Sequence, residues 1–290
     1  MPTKPEKDSA GKTLIRSHEW DGIQEMDNPL PRWWLYVFYA SIAVSLVYYV
    51  LYPAIPFFNS HTTGVLDYTE RKALDAELAK AKLAQAGYIR QIEAKTPAEI
   101  RADADLLNFA LAGGRAAFAD NCVPCHGAGG AGRPGYPSLA DDSWLWGGTL
   151  DAIQQTVRHG IRWQKDDATR QSEMPRFGAD ALLTPEQIGD VTQYVLSMTK
   201  RATDAPAAAK GEIVYAEQCA VCHGPKGEGN QELGAPDLSD AVWLYGGSPK
   251  EILQQVSASR HGVMPSWQGR LDEATIKMLT VYVHSLGGGK

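Results

Sequence analysis

The chain has 290 residues and four cysteines, and all four cysteines fall in two Cys-x-x-Cys-His motifs: Cys122, Cys125 and His126, then Cys219, Cys222 and His223. Two thiols at this spacing lie on one turn of helix, with an imidazole directly after them. That is the attachment signature of c-type haem. The thiols add to the vinyl groups as thioethers, and the histidine offers a neutral imidazole to the iron. The expectation is two covalently bound haem c groups. Two other chemistries use the same spacing. Paired Cys-x-x-Cys zinc knuckles usually sit ~15–20 residues apart, whereas these motifs are 97 apart. A thioredoxin-like redox pair needs a βαβ context, and no strand alternation surrounds either motif.

Iron bound to one histidine needs a sixth ligand. Met174-Pro175 and Met264-Pro265 occupy equivalent places, one per copy of the motif. A thioether is a soft ligand that favours ferrous iron, so His/Met coordination raises the potential and suits electron transfer. The following proline stiffens the loop that presents the sulfur. His159 and His261, each followed by glycine, are the rival ligands. Met26, Met198 and Met278 lie outside the pattern, and His18, His61 and His284 are expected at the surface or an interface.

These residues sit in a repeat, which sets the architecture. Gly114, Phe118 and the first motif recur as Gly211, Tyr215 and the second at identical spacing. Trp144-Leu145-Trp146-Gly147-Gly148 recurs as Trp243-Leu244-Tyr245-Gly246-Gly247, followed in each copy by a short apolar helical pattern and the Met-Pro pair. Each copy closes with a helix. Thr184-Pro185-Glu186-Gln187 is a capping box ahead of Ile188, Val191 and Val195, and Asp272 caps a helix carrying Ile276, Leu279 and Val283. The copies cover 108–201 and 206–290, with an Ala/Pro/Lys stretch from Ala202 to Lys210 as the link. Helical units this small build a poor core alone, and a large apolar cofactor in each would complete it.

Ahead of the repeats, residues 1–32 are polar and without sustained period, and read as a surface tail or docking segment. Trp33 to Tyr52 is an uncharged apolar run. At ~1.5 Å per residue it gives about 30 Å, the thickness of a bilayer's hydrocarbon core. Aromatic residues crowd both its ends, as interfacial belts do. It is too long, and too far from the N-terminus, for a cleaved signal peptide. Residues 53–107 follow as a linker whose stretch from Tyr68 to Ala94 favours a solvated helical spacer. Flanking Lys and Arg are tied, so charge does not orient the span. The net charge of −6 argues against nucleic acid as a partner.

The segment His18-Glu19-Trp20-Asp21-Gly22-Ile23, then Asn28-Pro29-Leu30-Pro31-Arg32-Trp33-Trp34, resembles the approach to the membrane anchor in the dihaem CcoP/FixP subunits of cbb3-type cytochrome c oxidases. Arg170 to Pro175 and His261 to Pro265 are similar to that family's methionine-ligand loops. The resemblance covers essentially the whole chain. It implies an all-α fold, with one N-terminal transmembrane helix followed by two tandem class I cytochrome c domains. It also implies a cytoplasmic N-terminus and periplasmic haem domains, on a single pass through a bacterial inner membrane. Electrons would arrive from a soluble cytochrome c or the bc1 complex. They would leave toward a monohaem cytochrome c subunit and a haem–copper catalytic subunit that reduces oxygen. The chain would be a conduit within that enzyme and would hold no oxygen site.

Overall fold

The structure is a computed structural model describing residues 15–26, 29–287 and 289. Residues 1–14 and 27–28, including Asn28 of the stretch before the span, lie outside the described residues. The chain falls into two compact units, Met1–Ala84 and Gln85–Lys290.

The first unit begins with a hairpin where a tail without period is expected. Strands β1 (Ile15–Trp20) and β2 (Ile23–Met26) pair antiparallel, with Trp20 opposite Ile23. Asp21 and Gly22 both take positive φ, +49° and +84°, as a two-residue Asp-Gly turn requires. Helix α1 (Arg32–Leu51) follows. It is long and apolar enough to cross a membrane, and none of its residues is buried by the protein. Its two serine hydroxyls donate to carbonyls of the same helix, Ser41 to Phe38 O at 2.7 Å and Ser45 to Ser41 O at 2.8 Å, so neither hydroxyl proton is left unbonded in hydrocarbon. Helix α2 (Glu70–Ala94) is the charged spacer; it begins in the first unit and ends in the second, where Ile92 is its one buried residue.

The second unit is helical. Helices α3 (Pro97–Ala102) and α4 (Ala104–Asn121) are capped by Thr96 and Asp103. The first motif forms α5 (Val123–His126), and α6 (Leu150–His159) follows. Helix α7 (Pro185–Met198) starts on the expected Thr184 capping box. Helix α8 (Ala205–Gln218) is capped by the Asp204 carboxylate, with proline in its first turn. The stretch from Ala202 to Lys210, expected as a link, is therefore mostly helix, and the connection shrinks to 199–204. The second motif forms α9 (Ala220–His223), then come α10 (Pro249–Ser257) and α11 (Glu273–His284), the last capped by Asp272.

The packing does not follow the repeat. The first helix of the first copy, α4, packs on the last helix of the second copy, α11, and α6 packs there too. The last helix of the first copy, α7, packs on α8 and α10 of the second. Two bodies result, each built from parts of both copies. In one, Phe118, Ile153 and Val157 meet Ile276, Leu279 and Val283. In the other, Ile188, Val191 and Val195 meet Val214, Tyr215, Ile252 and Val256. The physical reason lies in the short connection. Helices joined by a few residues pack as an antiparallel hairpin. Once α7 has folded back on α8, α4 has only α11 to pair with. Such an exchange of equivalent elements is domain swapping within one chain.

Each helix crossing is closed by a glycine and an aromatic pair. A Cβ on Gly114 would overlap the Met278 carbonyl oxygen, and one on Gly211 would overlap that of Asp190. The Phe118 and Tyr282 rings are 5.4 Å apart, those of Tyr215 and Tyr194 5.1 Å. Replacing a helical glycine by alanine gains about 1 kcal/mol of propensity, but overlap with a neighbouring backbone costs about 1–3 kcal/mol or more. Gly211→Ala should therefore lower the thermal midpoint. Gly87→Ala in α2, where nothing lies within 4 Å of a built Cβ, should raise it slightly. Calorimetry of the two variants checks this.

Lysine and histidine of α11 complete the body around α4. Lys277 Nζ donates to the carbonyls of Ile92, Glu93 and Lys95 at 3.2, 2.8 and 2.8 Å, capping the open end of α2. His284, expected at the surface or an interface, is only 5 % exposed, with Arg101 Nη1 3.5 Å from its Nε2.

Candidate cofactor-binding site

Two cavities lie in the second unit, each with one motif on its wall. Cys122, Cys125 and His126 line the first, and Cys219, Cys222 and His223 the second. With solvent at their mouths included, they hold about 1510 Å³ and 1360 Å³ of empty space. Phe118, Leu139, Ile153, Val157, Leu279 and Val283 make the first apolar. Phe177, Val191, Val195, Leu238, Ile252 and Val256 do so for the second.

The motif helices hold their histidines in one tautomer. His126 Nδ1 is 3.0 Å from Pro137 O, and His223 Nδ1 is 3.0 Å from Pro236 O. A carbonyl can only accept, so Nδ1 carries the proton and Nε2 keeps its lone pair. Burial, partly opposed by that same hydrogen bond, lowers both imidazole pKa values and favours the neutral, ligating form. Cys122 and Cys219 move the other way, pushed up to about 11, mainly by burial. A redox pair of the thioredoxin kind needs a lowered thiol pKa, so these thiols do not fit that chemistry. Nor do they fit a shared zinc site. The two cysteine pairs lie in different cavities, and among the described residues no three His, Cys, Asp or Glu side chains converge to hold a metal ion. Apolar walls, two thiols and a fixed imidazole do fit a covalently held porphyrin.

The methionines are crossed. Met264 lines the cavity of the first motif, and Met174 that of the second. Each methionine thus lines the cavity of the other copy's motif, an exchange that follows the swapped helices. The two loops are anchored in matching ways. Ser266 Oγ donates to Arg158 O of α6 at 2.7 Å, and Gly178 and Ala179 N–H donate to Ser257 O of α10 at 3.1 and 2.9 Å. The rival histidines are otherwise engaged. His261 Nε2 accepts the Met174 N–H at 2.8 Å. His159 Nδ1 lies 3.2 Å from both Asp166 oxygens, and His159 is on neither cavity wall.

The cavities share a wall. Leu145, Trp146, Arg162, Leu244, Tyr245 and His261 line both. Arg170 Nη1 donates to Trp146 O at 2.8 Å, and Arg260 Nη2 to Tyr245 O at 3.1 Å. Each chain strand is therefore still tied to its own copy four residues before its methionine, and crosses within those four. Sequence reasoning marked the two aromatic-Gly-Gly loops only as repeat markers and passed over Arg162. A signal existed: the spacing between copies changes after α6, because the first copy has nine more residues between Val157 and Arg170 than the second has between Val256 and Arg260.

Comparison with known proteins finds cytochrome c domains in this part of the chain. Residues 12–59 match the N-terminal domain of cytochrome oxidase-cbb3, FixP. Residues 111–199 match cytochrome c, and residues 206–283 match cytochrome C oxidase, cbb3-type, subunit III. The cbb3-type cytochrome c oxidase subunit CcoP of Azospirillum brasilense is 52% identical, over 98% of this chain and 99% of its own. The subunit CcoP of Cereibacter sphaeroides is 46% identical over the whole of both chains. The subunit FixP of Bradyrhizobium diazoefficiens is 45% identical, also over the whole of both. The chain belongs to the CcoP/FixP family of cbb3-type oxidase subunits. As a CcoP/FixP member it is a membrane-anchored electron-transfer subunit with cytochrome c domains that bind c-type haem.

Proposed function

We propose that this CcoP/FixP chain carries two covalent haems, each bonded by the cysteines and histidine of one copy and capped by the methionine of the other. Cys122 and Cys125 hold the first, with His126 and Met264 as axial ligands. Cys219 and Cys222 hold the second, with His223 and Met174. When bound, the iron supplies a one-electron couple. The residues around it keep it low in reorganisation. The Pro137 and Pro236 carbonyls fix the imidazoles, and the apolar walls exclude water. With both axial positions filled by protein, no site is left open for substrate.

The observation that carries this reading is the wall common to both cavities. One redox centre per cavity would put the two on either side of Trp146, Tyr245 and Arg162, an arrangement that suits relay of electrons between them. We assign the donor as a soluble cytochrome c or the bc1 complex on the periplasmic side. The acceptors are a monohaem cytochrome c subunit and then the haem–copper catalytic subunit of the oxidase. The N-terminus lies in the cytoplasm of a bacterium, and α1 passes once through its inner membrane.

Redox-titrated spectra of the complex purified in mild detergent test this. Two c-type haems per chain should titrate as low-spin centres. After acid-acetone extraction the colour should stay with the polypeptide. Loss of the colour from this polypeptide itself, one haem per chain, or a five-coordinate high-spin c-type centre would overturn it.

A further inference from the structure

Among the described residues on the wall between the two cavities, Arg162 reaches both methionine loops with its side chain, and His261 of the Met264 loop adds one bond to the Met174 N–H. Arg162 Nε donates to Gly262 O at 2.8 Å, and its Nη1 donates to Ser172 O at 2.6 Å. Both acceptors are two residues ahead of a methionine. The main chain repeats the pattern. Ile161 and Met264 exchange N–H to carbonyl bonds at 2.9 and 3.0 Å, and the Arg162 N–H donates to Arg170 O at 2.9 Å. Ile161 therefore bridges both loops through the main chain, pairing with Arg170 of the Met174 loop and with Met264. Arg162 holds φ at +53°, a strained conformation uncommon outside glycine. The surrounding bonds over-determine it.

We propose that Arg162 is a positioning residue for both haems at once: its guanidinium fork holds the Met174 and Met264 loops in register across the shared wall, so that both axial thioether bonds depend on one side chain. The proposal rests on the crossed ligand assignment above. Its chemistry requires a planar donor with two N–H vectors at a fixed angle. Arginine provides that and lysine does not, although lysine keeps the charge. Loosening the fork lets both sulfurs retreat, and a weaker thioether bond lowers the potential of each iron.

The test uses Arg162→Lys and Arg162→Gln in the full chain within its detergent-solubilised complex. Haem content, the near-infrared thioether-to-iron charge-transfer band and both midpoint potentials are measured. Thioether attachment does not involve the methionine side, so both variants should load both haems. The expected result is loss of band intensity at both centres and a downward shift of both midpoints, in Arg162→Lys as well as in Arg162→Gln. Met174→His and Met264→His, made alone, show independently which transition each methionine controls. If those two variants leave band and potentials unchanged, the ligand assignment falls and the role of Arg162 with it. If they behave as assigned but Arg162→Lys matches the parent, or either Arg162 variant disturbs one haem only, the shared positioning role is overturned while the ligands stand.

Discussion

Met264→His should lower the midpoint potential of the haem at Cys122 and Cys125, not that of the haem at Cys219 and Cys222 in its own copy. The change should be on the order of a few tenths of a volt, within the roughly 0.8 V that axial ligands command. Imidazole stabilises ferric iron where thioether favours ferrous. The assignment to the distant motif follows from the cavities, where Met264 stands with His126 and Met174 with His223. A spectral tag makes the experiment decisive. In a Cys122→Ser background the first haem keeps one unsaturated vinyl, and its absorption band moves to longer wavelength. Adding Met264→His should then shift the potential read in the displaced band. A shift in the undisplaced band instead would mean that each methionine serves its own copy.

Residues 1–203 produced alone should fail to form a compact haem body, and co-production of 204–290 should restore it. The missing piece includes α11, which buries Ile276, Met278, Leu279, Val281 and Val283. Five such side chains are worth about 1.5–3 kcal/mol each, so their loss is comparable to the roughly 5–15 kcal/mol that holds a typical domain together. The cross-copy ion pair of Arg158 with Glu273, 115 residues away, goes as well, and so does the sulfur of Met264. Limited proteolysis should digest the fragment rapidly and spare the co-produced pair. A protease-resistant 1–203 with a thioether band of its own would show that the copies fold separately.

Much of this molecule was legible in its residues. The two Cys-x-x-Cys-His motifs, the apolar span and the caps at Thr184 and Asp272 each rest on local spacing, and local spacing survives into the fold. What was not legible is which partner each apolar face meets. Ile188, Val191 and Val195 in one copy, and Ile276, Leu279 and Val283 in the other, present the same stripe at the same period. Periodicity says that a face is covered but not by what. Only the length of the 199–204 connection separates the two pairings. The Ala/Pro/Lys composition of 202–210 reads as a link and hides the Asp204 cap and the helix that starts at Ala205. The Asp21-Gly22 turn was a hairpin signal of the ordinary kind, overlooked amid polar residues. The burial of His284 had no local signal, since it depends on α3 and α4 arriving from far along the chain.

The exchange of helices also sets an order of events in biosynthesis. A chain made from its N-terminus displays Cys122 and Cys125 long before Met264 and α11 exist to close over them. Contacts this distant in sequence form late and slowly. Through most of synthesis the earlier thiol pair therefore stays uncovered and within reach of whatever enzyme delivers pigment. Both bodies then shut almost together, as the last eighty or so residues emerge.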